Sequence, residues 1–160
     1  MSTRSSQKIF TIDQDQTVHR DALTYHKDTN ELITGIVEEF YENGQLERRA
    51  NYKDGKREGL LEVFHKNGQL ELRGPNKDGK EEGLWEIFYE NGQLELRINY
   101  KDGKEERLVE YFYENGQLKG RGNFIDGKLN GLRVWFDEYG NLTKTETFRN
   151  GVVVQSNWNP

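Results

Sequence analysis

The chain has 160 residues, a length that suits one domain of ordinary size. With 32% hydrophobic and 32% charged residues and a mean hydropathy of -1.02, it cannot fill a thick two-layer core, yet 8 Tyr, 8 Phe and 3 Trp are too many for a disordered chain. The net charge of -5 leaves no Lys/Arg excess for nucleic acid phosphates and permits a basic protein partner; with no cysteine, disulfides and thiolate metal sites are excluded.

Residues 1–8 (MSTRSSQK) are small and polar and read as a disordered terminus. The opening has no apolar run of signal-peptide length, and no stretch approaches a membrane span, so a cytoplasmic location is expected. Residues 9–34 read as N-terminal cap strands. Ile9, Phe10 and Ile12 predict one short strand, Leu23 and Tyr25 another, and Lys27-Asp28-Thr29-Asn30 a turn.

From Gly35 a 24-residue unit recurs. Asn-Gly stands at Asn43-Gly44, Asn67-Gly68, Asn91-Gly92 and Asn115-Gly116, with Tyr139-Gly140 as the fifth member. Asp-Gly stands at Asp54-Gly55, Asp78-Gly79, Asp102-Gly103 and Asp126-Gly127, with Asn150-Gly151 last. The repeats are 35–58, 59–82, 83–106, 107–130 and 131–154. Asn-Gly and Asp-Gly between alternating apolar residues are hairpin signals. Each repeat is therefore expected to be one antiparallel hairpin, such as Leu84–Tyr89, a turn at Glu90-Asn91-Gly92, then Gln93–Tyr100. The fold class that follows is all-β: an elongated, single-layer antiparallel meander of stacked hairpins, about ten strands at ~4.8 Å spacing, twisted or curved. Val152-Val153-Val154 reads as a final edge strand, with the tail 155–160 folding back as a cover.

Which residues share a face depends on the Asn-Gly turn. A two-residue turn would pair Tyr89 with Leu94 and group Trp85, Ile87, Tyr89, Leu94 and Tyr100. A three-residue turn with a bulge at Gly92 would pair Phe88 with Leu94 and group Leu84, Phe88, Leu94, Ile98 and Tyr100. The second grouping is preferred for the core, because Phe (Phe40, Phe64, Phe88, Phe112, Phe136) and Leu (Leu46, Leu70, Leu94, Leu118, Leu142) recur in every repeat. The varying, aromatic-rich positions then fall on the other face as a recognition surface: Trp85, Ile87, Tyr89, Tyr111, Tyr113 and Trp135. Two places break the pattern. Pro75 is expected to weaken or bend the sheet between repeats two and three. Arg107, in place of the loop-ending glycine, is expected to send its loop along a different path.

Phe-Tyr-Glu-Asn-Gly-Gln-Leu, then Asn-Tyr-Lys-Asp-Gly-Lys, resembles the bacterial variant MORN repeat, and Tyr25 to Gly35 looks like the opening of its YwqK-type antitoxin-like family. The resemblance covers about residues 25–154. It implies stacked hairpins, binding rather than catalysis, and neutralisation of a toxin partner. It supplies no catalytic residues.

The residues themselves offer little chemistry. Glu38, Glu62, Glu86 and Glu110 form a row, as do Glu47, Glu71 and Glu95; their acidic-stripe reading competes with a solvated face balanced by Arg49, Arg73, Arg97 and Arg121. An open repetitive sheet encloses no carboxylate pair for acid–base work. His19, His26 and His65 lack a ligand spacing, and Lys-Asp-Gly-Lys is a hairpin turn rather than a phosphate loop. The chain is thus expected to be a non-enzymatic protein-binding module, antitoxin- or immunity-like, with no cofactor and no metal. A scaffold that self-associates through its sheet ends is the alternative. A membrane-surface binder is disfavoured by the net charge.

Overall fold

The computed structural model describes residues 11–159, so the terminus expected at 1–8, and Ile9 and Phe10, lie outside the described residues. The N-terminal segment contains β1 (Thr11–Asp13), a 3-10 turn (Gln14–Gln16), β2 (Thr17–Arg20) and β3 (Leu23–His26). β2, which the sequence did not signal, pairs with β3 as a separate small hairpin. The array follows as β4 (Gly35–Phe40), β5 (Leu46–Lys53), β6 (Lys56–Phe64), β7 (Leu70–Lys77), β8 (Lys80–Glu81), β9 (Gly83–Phe88) and β10 (Leu94–Lys101). It continues as β11 (Lys104–Glu105), β12 (Arg107–Phe112), β13 (Leu118–Ile125), β14 (Lys128–Phe136), β15 (Leu142–Arg149) and β16 (Val152–Trp158). All but β2 and β3 belong to one 14-stranded sheet, ordered along the chain and antiparallel except where β1 pairs parallel to β4.

Two kinds of turn drive this meander. At Asp54-Gly55 both residues have positive φ, 49° and 77°, which is the two-residue turn whose twist matches its flanking strands. At the Asn-Gly turn only Gly92 is positive, at 83°; Gly92 N–H donates to Tyr89 O and Tyr89 N–H to Gln93 O, both at 2.9 Å. That is the three-residue turn, and Phe88 does pair with Leu94.

The face assignment nevertheless needs correcting. A second irregularity lies just beyond the turn: Leu94 pairs with Phe88, but Leu96 pairs with Ile87, leaving Glu95 as an extra residue. Alternation then restarts one step out of phase. Ile98 pairs with Trp85 and Tyr100 with Gly83, so neither shares a face with Phe88. The shift recurs after Leu46, Leu70, Leu118 and Leu142.

One face, here the core face, therefore carries Val37, Ala50, Tyr52, Leu61, Trp85, Ile98, Val109 and Phe148, all buried; Val109 is 1% exposed. Ile33, Ile12, Val63, Leu72 and Tyr100 pack into it. The Phe and Leu columns lie on the other face, where Phe40 is 48% exposed and Leu60, Leu84, Leu132 and Leu142 are also open. Uniformity along the stack marks them as a regular surface, not as the buried core.

Both pattern breaks resolve differently from expectation. β7 runs unbroken through Pro75, which stands opposite Leu60. The β7–β9 ladder is short, covering Leu72↔Ile87 and Arg73↔Glu86, but so is β10–β12 with no proline nearby, so proline is not the cause. Gly74 and Asn76 matter more. Asn76, itself buried, fills the aromatic position held by buried Tyr52 and half-buried Tyr100, and neither of its amide atoms has a partner. Arg107 does not reroute its loop: its φ of 67° lies beside the 82° of Gly83 and 90° of Gly131. The expected covering tail is instead part of β16, with Gln155 to Trp158 paired to β15.

A non-glycine side chain in the left-handed region costs about 1–2 kcal/mol, against roughly 0.5–1 kcal/mol for glycine's greater unfolded freedom. Arg107→Gly should therefore stabilise the chain by about 0.5–1 kcal/mol in urea unfolding, with an unchanged m-value. At Gly74 an added Cβ would stand 2.1 Å from Trp85 Cδ2. Gly74→Ala should cost about 1–3 kcal/mol. Adding Trp85→Leu, the residue Leu61 places in this column, should cancel much of that cost, with a coupling of at least about 1 kcal/mol in the double-mutant cycle.

Candidate functional site

The six residues singled out by sequence do not form one exposed patch. Trp85 is 6% exposed. Its ring lies over Gly74, meets Tyr100 edge-on at 6.0 Å, and donates its indole N–H to Pro75 O at 2.9 Å. A buried, hydrogen-bonded indole is core, so Trp85 offers almost no surface to a partner. The varying column that was expected to be open is the one that fills the interior.

Tyr89 and Tyr113 are half-buried, and their hydroxyls are occupied. Each donates to a carbonyl of the next repeat, Phe112 O and Phe136 O, at 2.8 Å. Tyr41 does the same to Phe64 O at 2.6 Å. His65 Nε2 stands 2.9 Å from Phe88 O, where it can only donate, so the hydrogen sits on that nitrogen. Burial, with Glu95 second, pushes the Tyr89 phenol above its ordinary value. These side chains tie one hairpin to the next. Asn67, Asn91 and Asn115 add parallel ties to Glu90 O, Glu114 O and Glu138 O. At the opposite end of the hairpins, Glu58, Glu82 and Glu106 accept the backbone N–H of Asp78, Asp102 and Asp126.

Ile87, Tyr111 and Trp135 do share the core face, and all three are half-buried. Gly120 stands opposite both Tyr111 and Trp135 on the flanking strands. With no side chain between them, the two rings meet at 5.5 Å, tilted by 36°. A Cβ on Gly120 would lie 2.2 Å from Trp135 Cε3. Arg133 caps Trp135, its guanidinium 4.2 Å from the ring centre. Trp135 Nε1 donates to Glu146 Oε2 at 3.4 Å, and Lys144 Nζ lies 2.7 Å from Glu146 Oε1. The Lys144 ammonium, then the indole N–H, holds the Glu146 carboxyl below its ordinary range despite burial. Sequence reading singled out neither Gly120 nor the Arg133, Lys144, Glu146 group. A glycine facing a tryptophan across the ladder was the available signal.

The core-face apolar row is thus closed at both ends by charge. Glu39 pairs with Arg48 in the first repeat, and Arg133, Lys144 and Glu146 stand in the fifth. On the other face the glutamate row is neutralised rather than free. Arg49 bridges Glu38 at 2.7 Å and Glu62 at 3.8 Å; Arg73 and Arg97 reach Glu86 at 2.7 and 3.3 Å; Arg97 also reaches Glu110 at 3.5 Å. The solvated, balanced reading of this row therefore fits better than an acidic stripe. Among the described residues, no group of three or more His, Cys, Asp or Glu is placed to hold a metal, and no helix is long and apolar enough to cross a membrane.

Comparison with known proteins adds a family. The family described as MORN repeat variant matches residues 33–54, 57–75, 81–102 and 108–126, just over half of the chain. No curated protein matches. Among solved structures, the chain is similar to a mutant of S. aureus TarM in complex with Fondaparinux, alpha-GlcNAc-glycerol and UDP, at 13% identity and TM-score 0.39, over 59% of this chain and 19% of that one. It is also similar to accessory secretory protein 1, 2 and 3 in Streptococcus pneumoniae, at 15% identity and TM-score 0.30, over 83% and 23% of the two chains. A third likeness is to the GtfA/B complex bound to UDP and GlcNAc, at 15% identity and TM-score 0.26, over 79% and 22%. The chain spans about a fifth of the length of these structures.

The Trp135–Glu146 contact carries a pH dependence. Glu146 titrates lower in the folded chain than unfolded, so its stabilisation is complete above the ordinary glutamate range and is lost as pH falls through the lower folded value. Acidification through that window should shift the indole N–H resonance of Trp135. Glu146→Gln should abolish the pH-dependent part of that shift and lower the melting temperature at neutral pH.

Proposed function

The chain belongs to the MORN repeat variant family, and on that premise we propose that it is a non-enzymatic module whose core-face aromatics bind a partner protein. MORN repeats are in general protein- or membrane-binding modules. Between those two, the net charge of -5 favours a protein over an anionic lipid surface. The observation that carries the reading is the Tyr111–Trp135 pair over Gly120. It is a preassembled aromatic platform, half-buried and therefore rigid, with Ile87 on the same row and Arg133 and Lys144 at its rim. Rigid aromatics of this kind lose little conformational entropy on binding and are typical anchors of interfaces.

The partner class follows from charge and resemblance together. A basic protein suits the overall charge. The likeness of residues 25–35 to the opening of the YwqK-type antitoxin-like proteins supports a toxin as that partner, with occlusion in the cytoplasm as the mode of action. Trp85 plays no direct part in this reading; Tyr89 and Tyr113 contribute only ring edges, since their hydroxyls hold the next hairpin. The carboxylates with lowered pKa, Asp137 and Glu146, are held ionised by local hydrogen bonds, the reverse of a poised general acid.

The test is binding of the purified chain to the product of the adjacent gene by isothermal titration. Trp135→Ala and Tyr111→Ala should each weaken the complex by at least about 30-fold, as interface anchors do. Tyr139→Ala, on an exposed turn, should leave it unchanged. An affinity indifferent to both aromatic variants would sink the platform, and no complex at all would sink the partner assignment.

A further inference from the structure

The last strand of the sheet is unlike the others. β16 runs for seven residues with every side chain exposed, including Val152, Val153, Val154 and Trp158. Among the described residues it is the one strand of more than four residues that contains no Asp, Glu, Lys or Arg. Proteins usually blunt a free edge by making it short or by placing charge on it. The other edge of the sheet, β1, carries Asp13. β16 also departs from the repeat motif. One period beyond Gly131 and Leu132, the positions hold Gln155 and Ser156.

The backbone of β16 has a defined outward side. Asn159 N–H donates to Thr143 O at 2.8 Å. Alternation along the antiparallel ladder turns Asn157 and Gln155, opposite Thr145 and Thr147, toward β15. The N–H and C=O groups of Ser156 and Trp158 therefore point away from the sheet. A strand with open hydrogen-bonding groups is completed most simply by another strand.

We propose that the chain forms a two-fold dimer in which β16 pairs antiparallel with β16 of a second copy, centred on Ser156, so that two sheets become one. The order of residues is self-complementary about that centre. Val154, the extra residue of a bulge opposite Thr147, faces Trp158 of the second copy, and Gln155 faces its Asn157: apolar against apolar and amide against amide. The absence of charge from the strand removes the like-charge repulsion that a two-fold seam would otherwise impose on any charged central residue. This interface lies on the sheet edge, two strands from Trp135, with Trp158 4.4 Å from the Lys144 ammonium between them.

Sedimentation velocity of the full chain across a concentration series tests the proposal. The expected result is a reversible monomer–dimer equilibrium that stops at two copies. Ser156→Lys sets two like charges against each other at the axis, and Val154→Lys removes the apolar pair. Each should weaken the dimer at least about tenfold. Circular dichroism should not change, because both side chains are exposed. The chain has no cysteine, so Ser156→Cys can be read directly: it should give a disulfide-linked dimer under mild oxidation far faster than Lys66→Cys on an exposed turn. A monomer at every concentration, a dimer insensitive to both lysine variants, or growth beyond two copies overturns the proposal.

Discussion

One extra residue in the second strand of each hairpin decides what both faces of this sheet contain. Glu47, Glu71, Glu95, Lys119 and Thr143 hold that position. Strict alternation from Leu94 would have placed Ile98 and Tyr100 beside Phe88. With the extra residue, Ile98 meets Trp85 and Arg97 meets Glu86 instead. Trp85, Ile87, Ile98 and Tyr100 are then gathered on one face, while Glu86 and Arg97 stand on the other with the Phe and Leu columns. Such a bulge also strengthens local twist, and it recurs five times at one point of the period. A single-layer sheet has only one face to bury. Its stability therefore depends on this step being taken identically in every repeat.

This explains which parts were legible in the sequence. The period, the hairpins and the Phe88–Leu94 pairing were legible because Asn-Gly and Asp-Gly dictate backbone geometry locally. The faces were not, because a bulge leaves no compositional mark. Glu95 looks like any polar strand residue. Columns uniform along a stack usually mark the core of a solenoid, but here uniformity and burial are separate properties. Charge pairing held the better clue. Requiring Glu86 and Arg97 to share a face forces Trp85 and Ile98 onto the other and demands one extra residue between the turn and Arg97. For the candidate site, the residue types were legible and their accessibility was not. Three of the six, Trp85, Tyr89 and Tyr113, lie in the interior or against the next hairpin for reasons of register.

The ion-pair ladder is best understood as register, not as stability. An exposed pair contributes about 0–1 kcal/mol. Glu86, buried between Arg73 and Arg97, is better placed than most, yet its partners are about half exposed. What the ladder supplies is a cost for error: sliding a strand by one residue would leave Glu86 facing apolar side chains. The tyrosine and asparagine ties act in the same sense along the stack. They reach 23 residues ahead and connect a hairpin only to its successor.

A repeat array built wholly from such uniform devices would lack addresses. Glu86 would accept Arg49 as readily as Arg97, and any hairpin could dock on any other. The positions that differ between repeats supply what the uniform ones cannot. Trp85 requires a strand with glycine opposite, and Gly74 provides it. Trp135 requires the same and finds it at Gly120, while Val109 and Arg133 flank Gly122. Large and small residues are matched across neighbouring strands, so each hairpin fits one predecessor. Variation along a repeat array is therefore not in itself a mark of recognition. It must first be discounted for the packing that fixes the order of the stack. Trp85 is fully accounted for in that way. Tyr111 and Trp135 are not: Gly120 leaves room for one ring, two rings share it, and part of each remains open. That surplus of aromatic surface beyond what packing needs is the physical ground for placing the binding surface there.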